Sequence, residues 1–437
     1  MKEPGNIFQI IKSKINYDSA SEMGWVILGQ TVNVLLGFLI IKLISKIGPG
    51  QYGVYALVLT IAAVLGLFYG SFLQGFLRYY YHYEELNRRD HIVTLMFRFI
   101  RLTLLLFIVL TVIISFSFPL FDHQYSTIFF LAAGLFVIAS KLSEFFNSIL
   151  NLIRKRKENA LLQALERILM ITVLLLLLWG NNLVLLYILL LSSCISFLVA
   201  GIKIFMFRKF VPSVSKGKIP GEQQKDIIRT VMIYISPFLI WGIAGWFQLN
   251  GEKWIINGVL SVTDVGIYAI MMAIVNALVV IPNNIITDFT TPIIFKQFAD
   301  MNNRENINTG YTYIKINMLI ILLITVFATL LTFLWGKEII KLISSQSYAV
   351  YWYILPLLVL GTGLFYTGQA QTLLGMGLSK PQKYIAPKLI IGVGSLGLNF
   401  LSVSLFGIQG ISYSILLIGL IYVVYITLVN GRILRTG

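Results

Sequence analysis

Twelve mostly apolar stretches, each about 20 residues long or longer, run through this chain almost from end to end. They are 23–45, 52–77, 99–118, 127–152, 161–179, 183–207, 231–250, 265–287, 315–335, 350–376, 387–405 and 408–430. A helix needs about 20 apolar residues to cross the hydrocarbon core of a bilayer. The stretches are continuously apolar and show no period of two, which predicts helices rather than the alternating strands of a barrel. Charged residues make up 12% of the chain, about half of what an ordinary soluble domain uses to coat its surface. A soluble globular enzyme and a disordered chain are therefore excluded. An all-α membrane protein with twelve transmembrane helices remains.

The net charge is +16. In a soluble protein such an excess would suggest nucleic acid, but here its placement gives another reading. Twenty-eight Lys and Arg fall in the two tails, in the connections after even-numbered helices and at the adjoining helix ends. Five fall on the opposite side: Lys42, Lys46, Lys253, Lys337 and Lys341. Lys141 lies mid-helix. Cytoplasmic loops carry the excess of Lys and Arg, so both termini are expected in the cytoplasm and no nucleic-acid partner is needed. The polar N-terminus, Met1 to Glu22, lacks the apolar core and small-residue cleavage site of a signal peptide, so the first helix is expected to be retained. The single cysteine, Cys194, allows no internal disulfide and no metal cluster.

The outer connections are short, which leaves no room for an outer domain. The longest cytoplasmic connection, Phe207 to Thr230, carries Pro212, Gly217, Pro220 and Gly221 and reads as a linker. The expected organisation is a six-helix lobe over 1–207, a linker over 208–230 and a second six-helix lobe over 231–437.

The halves echo each other. Gly53, Tyr55 and Ala56 recur as Gly266, Tyr268 and Ala269, at an offset of 213 and between the first and second helix of each half. A fainter echo pairs Arg154-Lys155-Arg156-Lys157 with Leu378-Ser379-Lys380-Pro381, after the fourth helix of each half. An even helix count per half makes the repeats parallel, related by an axis along the membrane normal. Two such bundles around a central cavity are a transporter architecture.

Polar residues inside the membrane are costly, and here they are concentrated. Helix 1 holds Gln30, Asn33 and Lys42. Helix 2 ends in Gln74 and Arg78. Helix 4 holds Lys141, Glu144, Asn147 and Asn151. Helix 7 continues through Gln248, Asn250, Glu252 and Lys253. Helix 8 holds Asn276, Asn283, Asn284 and Asp288, and helix 10 holds Gln369 and Gln371. Helices 1, 2 and 4 recur as 7, 8 and 10 after adding six, so these six are expected to line a shared cavity. Lys141, Glu144, Ser148 and Asn151 share one helical face, as do Trp241, Gly245, Gln248 and Glu252. The same residues also fit a plainer role: amides that hold helices together, a neutralised i,i+3 pair at Lys141–Glu144, and snorkelling of Arg78 to headgroups.

No phosphate-binding Gly-rich loop with Lys-Ser/Thr is present, so no ATPase is expected. His82, His91 and His123 lie in loops without metal-ligand spacing. No catalytic residue, metal or cofactor is implied.

The repeat carries a resemblance. Leu43-Ile44-Ser45-Lys46-Ile47-Gly48-Pro49-Gly50-Gln51-Tyr52-Gly53-Val54-Tyr55 resembles the start of bacterial polysaccharide (O-antigen type) flippases, members of the multidrug/oligosaccharidyl-lipid/polysaccharide (MOP) exporter superfamily. Gly75-Phe76-Leu77-Arg78-Tyr79-Tyr80 resembles the end of their second helix. Glu252-Lys253-Trp254-Ile255-Ile256-Asn257-Gly258 followed by Val265-Gly266-Ile267-Tyr268 resembles their seventh helix running into the eighth, with Glu252 where the family usually has Asp. The resemblance implies two six-helix lobes around a cavity open alternately to each side. It implies export of undecaprenyl-diphosphate-linked oligosaccharide from the inner to the outer leaflet of the bacterial cytoplasmic membrane. Buried cations would neutralise the diphosphate: Arg78 at the cytoplasmic entrance, Lys141 and Lys253 further in, Lys42 nearer the outer end. Gln30, Asn33, Asn147, Gln248, Asn276, Asn283 and Gln369 would bind sugars. Glu144, Glu252 or Asp288 would couple transport to H+ or Na+. A glycan polymerase is a candidate partner complex.

Two rival functions share these features. A drug/cation antiporter of the same superfamily would favour an acidic or apolar cavity, whereas the intramembrane acids here are matched or exceeded by cations. A membrane glycan polymerase or ligase would need a substantial outer catalytic loop, and every outer connection is short.

Overall fold

The computed structural model of the chain describes residues 17–86, 89–117, 125–211, 221–298 and 304–435. The polar N-terminus to residue 16, the connection 118–124 with His123, and linker residues 212–220 lie outside the described residues, as does the side chain of Trp241. Long helices account for each expected segment. They are α1 (Tyr17–Ile44), α2 (Pro49–Glu85), α3 (Arg89–Ser117), α4 (Thr127–Leu152), α5 (Arg156–Trp179), α6 (Leu185–Phe210) and α7 (Gly221–Val259). Next, α8 comprises Val262–Val275, a π-helical turn Asn276–Val280 and Ile281–Gln297. After α9 (Arg304–Ile343) comes α10, which runs Leu355–Gln371 and resumes as Leu373–Gly377. The last two are α11 (Ile385–Phe406) and α12 (Ile408–Arg435).

Eleven helices among the described residues are long and apolar enough to cross a membrane. The remaining expected segment, 231–250, lies inside α7, which at 39 residues is about 58 Å long. Several helices overrun their apolar stretches. α2 continues past Arg78 to Glu85, α8 reaches Gln297 and α9 spans Arg304–Ile343, while α7 passes through Glu252 and Lys253, as expected, and goes on to Val259. Apolarity marks where a helix meets lipid; backbone hydrogen bonding carries it on into water.

Local signals set the helix ends. Ser126 caps α4 by accepting from the Phe129 N–H at 3.3 Å, and Ser261 caps α8 by accepting from the Asp264 N–H at 3.3 Å. α4 stops at a left-handed residue, Arg154 (φ 59). There the Arg154 N–H donates to the Asn151 carbonyl (3.1 Å) and the Lys155 N–H to Leu150 (2.9 Å). The same closure ends α10. Ser379 (φ 56) is left-handed, its N–H donates to Met376 (3.2 Å), and the Lys380 N–H donates to Gly375 (2.7 Å). The repeat is thus matched in backbone hydrogen bonds, with Arg154 equivalent to Ser379 rather than to Leu378, one residue away from the letter-by-letter echo.

Two units partition the chain. The first comprises the residues up to Ile44 and Val58–Gly242; the second comprises Ser45–Leu57 and Ile243–Gly437. In the first, α4 packs on α6, α3 on α4 and α1 on α5. In the second, α10 packs on α12, α9 on α10 and α11 on α12. The first two pairings recur after adding six. Small residues make them close, as expected where lipid supplies no hydrophobic drive. Gly361 of α10 and Gly419 of α12 touch backbone to backbone, so that a methyl group on Gly419 would sit 2.2 Å from the Gly361 carbonyl oxygen. Large apolar side chains such as Leu105, Ile113, Phe116, Phe327, Phe333 and Leu405 are exposed, as a lipid-facing surface requires.

The break in α10 is closed by side chains. The Gly375 N–H donates to Tyr384 Oη at 2.9 Å, and that hydroxyl donates to Asn430 Oδ1 at 2.5 Å. Asn430 Nδ2 then donates to the Gln371 carbonyl at 2.9 Å. Two side chains therefore replace the one backbone bond that an unbroken helix would make between Gly375 and Gln371.

Candidate functional site

Within the first unit, α2 and α4 enclose a cavity of about 70 Å³ lined by Gly66, Tyr69, Gly70, Leu73, Lys141, Glu144, Phe145 and Ser148. The sequence dictates this locally. Gly66 and Gly70 lie one turn apart on α2 and remove side-chain bulk from one face. The Lys141 stem fills part of that groove: its Cδ, Cε and Nζ lie 3.6 Å from where a Gly66 Cβ would be, whereas nothing comes within 4 Å of that position at Gly70. Tyr69 is held as a wall by the Phe145 ring (centroids 5.1 Å apart) and by the Thr103 hydroxyl, which donates to Tyr69 Oη at 3.4 Å.

Lys141 Nζ donates to Glu144 Oε2 at 2.5 Å, and the lysine side chain is 20% exposed against 65% for the glutamate. Lys141 lies about 17 Å along α4 from its end at Leu152, close to the middle of a bilayer-spanning helix. An ionised side chain at that depth is costly enough to suggest a function by itself.

The other predicted residues are dispersed. Arg78 is exposed and stacks its guanidinium over the Tyr234 ring at 4.7 Å, about 12 Å along α2 from Gly70, so it does not line the Lys141 cavity. Lys42 sits in the last turn of α1. Gln30 is exposed. Asn33 donates to Gln163 Oε1 of α5 at 2.7 Å, an interhelical tie. Asn147 offers its backbone carbonyl to Asn159 Nδ2 at 3.1 Å, and the same amide reaches Asn151 Oδ1 at 2.9 Å, tying α4 to α5.

In the second unit, Glu252 is buried at 8% exposure, and Lys253 Nζ reaches Asn250 Oδ1 at 3.4 Å. Gln248 and Gln369 are half-buried, Asn276 and Asp288 are exposed, and Asn283 is buried beside Asn284. Among the candidates, Lys141 and Glu144 share a cavity within the first unit.

Sequence reading missed a buried network behind the cavity. Lys203 of α6 is 0% exposed. Its Nζ donates to Ser143 Oγ of α4 at 2.6 Å and to Glu166 Oε2 of α5 at 3.2 Å. Ser143 Oγ donates to Glu166 Oε2 and Ser196 Oγ to Glu166 Oε1, both at 2.8 Å. Ser143 lies between Lys141 and Glu144 in sequence but faces away from the cavity, so the network sets the rotation of α4 that aims the ion pair. A lysine a few residues before a helix end reads as snorkelling. The signal available was Glu166, an acid inside the apolar run 161–179.

The profile of the family described as polysaccharide biosynthesis protein matches residues 19–298. The chain belongs to that family. The match runs from α1 through α8 and so includes the Lys141 cavity. A comparison with curated protein sequences returns no significant match. Among solved structures, this family member is similar to an inward-facing multidrug resistance MATE transporter of the MOP superfamily (TM-score 0.67, 14% identity, covering 94% of this chain and 99% of that one). It is similar to the lipid II flippase MurJ in an inward closed conformation (TM-score 0.67, 15% identity, 93% and 87% covered). It is also similar to a mutant of the Vibrio cholerae MATE transporter VcmN (TM-score 0.59, 12% identity, 97% and 99% covered). The polysaccharide biosynthesis protein thus shares the all-helical fold of these MOP-superfamily structures, and its eleven long apolar helices among the described residues make it a multi-pass membrane protein.

Proposed function

We propose that this protein is a transporter that flips undecaprenyl-diphosphate-linked oligosaccharide from the cytoplasmic to the outer leaflet by alternating access. The observation that carries this reading is the mid-membrane lysine, Lys141, set in a cavity of a polysaccharide biosynthesis family member. A diphosphate must leave water to cross the bilayer, and a preplaced cation lowers that cost. Lobes 1–207 and 231–437, joined by 208–230, would rock against each other in the bacterial cytoplasmic membrane with both termini inside. Arg78, exposed and stacked on Tyr234, would meet the headgroup first. Lys42 and Lys253 would serve further along the path, and Gln30, Asn33, Asn147, Gln248, Asn276, Asn283 and Gln369 would meet the sugars. Glu252, a buried acid, leads Glu144 and Asp288 as the group that would couple flipping to H+ or Na+. A glycan polymerase would receive the product.

A drug/cation antiporter is the second reading, supported by the MATE likeness at the same TM-score as the flippase. Reconstitution into liposomes separates the two. Outer-leaflet appearance of lipid-linked glycan is measured with and without a proton or sodium gradient, beside uptake of a cationic dye. Glycan flipping without dye transport is expected, and the reverse would replace this reading with the antiporter.

A further inference from the structure

The Lys141–Glu144 pair is lopsided in a way that a purely structural bridge is not. The ammonium is largely sunk against α2, with its stem along Gly66, while the carboxylate is 65% exposed. Apart from Lys141 and Glu144, the cavity lining is glycine, aromatic, leucine and serine, so no other acid is among the residues that line it. An exposed carboxylate adds little net stability to an ion pair. It does, however, fill the position over the ammonium that an incoming anion would need. The cavity is open beside Gly70, where nothing lies within 4 Å of an added Cβ position, so a second anion has room to approach.

Resting on the flippase reading, we propose that Glu144 is an internal counter-anion which an anionic phosphate or diphosphate group displaces from Lys141. Binding is then an exchange. The carboxylate swings toward the exposed side, and the phosphate oxygens take its place on Lys141. The Lys141 charge is never stranded in the membrane, because it always holds one anion. A diphosphate carries more charge and more acceptor oxygens than one carboxylate, so it wins the exchange while present. When the headgroup leaves, Glu144 returns, which helps release. Neutral and cationic molecules cannot displace it, so Glu144 acts as a specificity determinant for anions.

The test uses the full chain in zwitterionic nanodiscs with inorganic pyrophosphate as the probe, titrated by calorimetry. Glu144→Gln is expected to bind pyrophosphate about fivefold more tightly than wild type. The gain should disappear when Lys141→Gln is added. In liposomes Glu144→Gln should lower KM for lipid-linked glycan and lower kcat with it, since release loses its competitor. Equal or weaker pyrophosphate binding by Glu144→Gln overturns the proposal, as does a gain that persists with Lys141→Gln. If Glu144→Gln does not insert, Glu144→Asp replaces it. Its shorter carboxylate should give an intermediate gain, and no gain is an overturning result. Adding phosphatidylglycerol to the nanodiscs tells a lipid headgroup from free phosphate, since only the former then competes with the probe. Glycan flipping without the Glu144→Gln gain defeats the exchange alone. The gain without glycan flipping defeats the cargo assignment and leaves the exchange standing.

Discussion

Gly53 and Gly266, matching positions of the two sequence halves, pack backbone to backbone within the second unit. A methyl group on Gly53 would sit 1.8 Å from the Val262 carbonyl oxygen, and one on Gly266 would sit 2.0 Å from that of Pro49. Each glycine therefore meets the carbonyl four residues before the other, a reciprocal contact with local two-fold character. The start of α2 clusters with the second unit because of such contacts. Tyr348 adds to them, edge-on to Tyr52 at 6.1 Å between centroids and with its hydroxyl donating to the Ser45 carbonyl at 3.3 Å.

Gly53→Ala and Gly266→Ala should each cost about 1–3 kcal/mol, since backbone and not a movable side chain stands in the way. Gly37→Ala, in an open stretch of α1, should be neutral or stabilise by about 0.5–1 kcal/mol. Thermal unfolding in detergent ranks the three, and equal Tm values would refute the close packing.

Lys141→Ala and Arg78→Ala should each impair lipid-linked glycan export while membrane insertion stays normal. Lys141→Ala should be the more damaging, because Lys141 lines the cavity and Arg78 lies outside it. If both proteins export at the wild-type rate, the diphosphate–cation reading fails.

Lys203→Met leaves Glu166 without its cation and should destabilise the first unit by about 3–5 kcal/mol. Lys203→Met combined with Glu166→Leu should recover much of that, since an apolar pair can replace a buried ion pair. Denaturant titration of the two proteins measures the difference. A double variant as unstable as the single would show that the ion pair contributes more than mutual neutralisation.

Tyr384→Phe removes the hydroxyl that joins Gly375 to Asn430 and should cost about 1–3 kcal/mol, because buried partners are left unsatisfied. Hydrogen exchange should report the loss at the Gly375 amide first. Unchanged protection there would mean that the α10 break closes without Tyr384.

Much of the architecture was legible beforehand. Twelve apolar runs predicted α1 through α12, and the Gly53/Gly266 echo predicted a repeat that the Arg154 and Ser379 turns repeat in their hydrogen bonds. Helix ends were less legible: α2 and α7 run past their apolar stretches because a helix needs only its own backbone to continue. For the site, the i,i+3 spacing of Lys141 and Glu144 anticipated the ion pair. Asn33 and Asn147 stood out equally in the sequence, yet they tie helices together.

By itself, the sequence determined that this is a polytopic helical membrane protein built from two related halves, because apolar length and charge placement answer to the bilayer, a solvent known in advance. Which polar residues face a cavity and which face a neighbouring helix was decided only by the tertiary structure. Lys203 shows why. Near a helix end its charge is free to reach water, and only the packing of α4, α5 and α6 turns it inward to Glu166. Rotation about a helix axis costs nothing until a neighbour is present, so no pattern along one helix can record it.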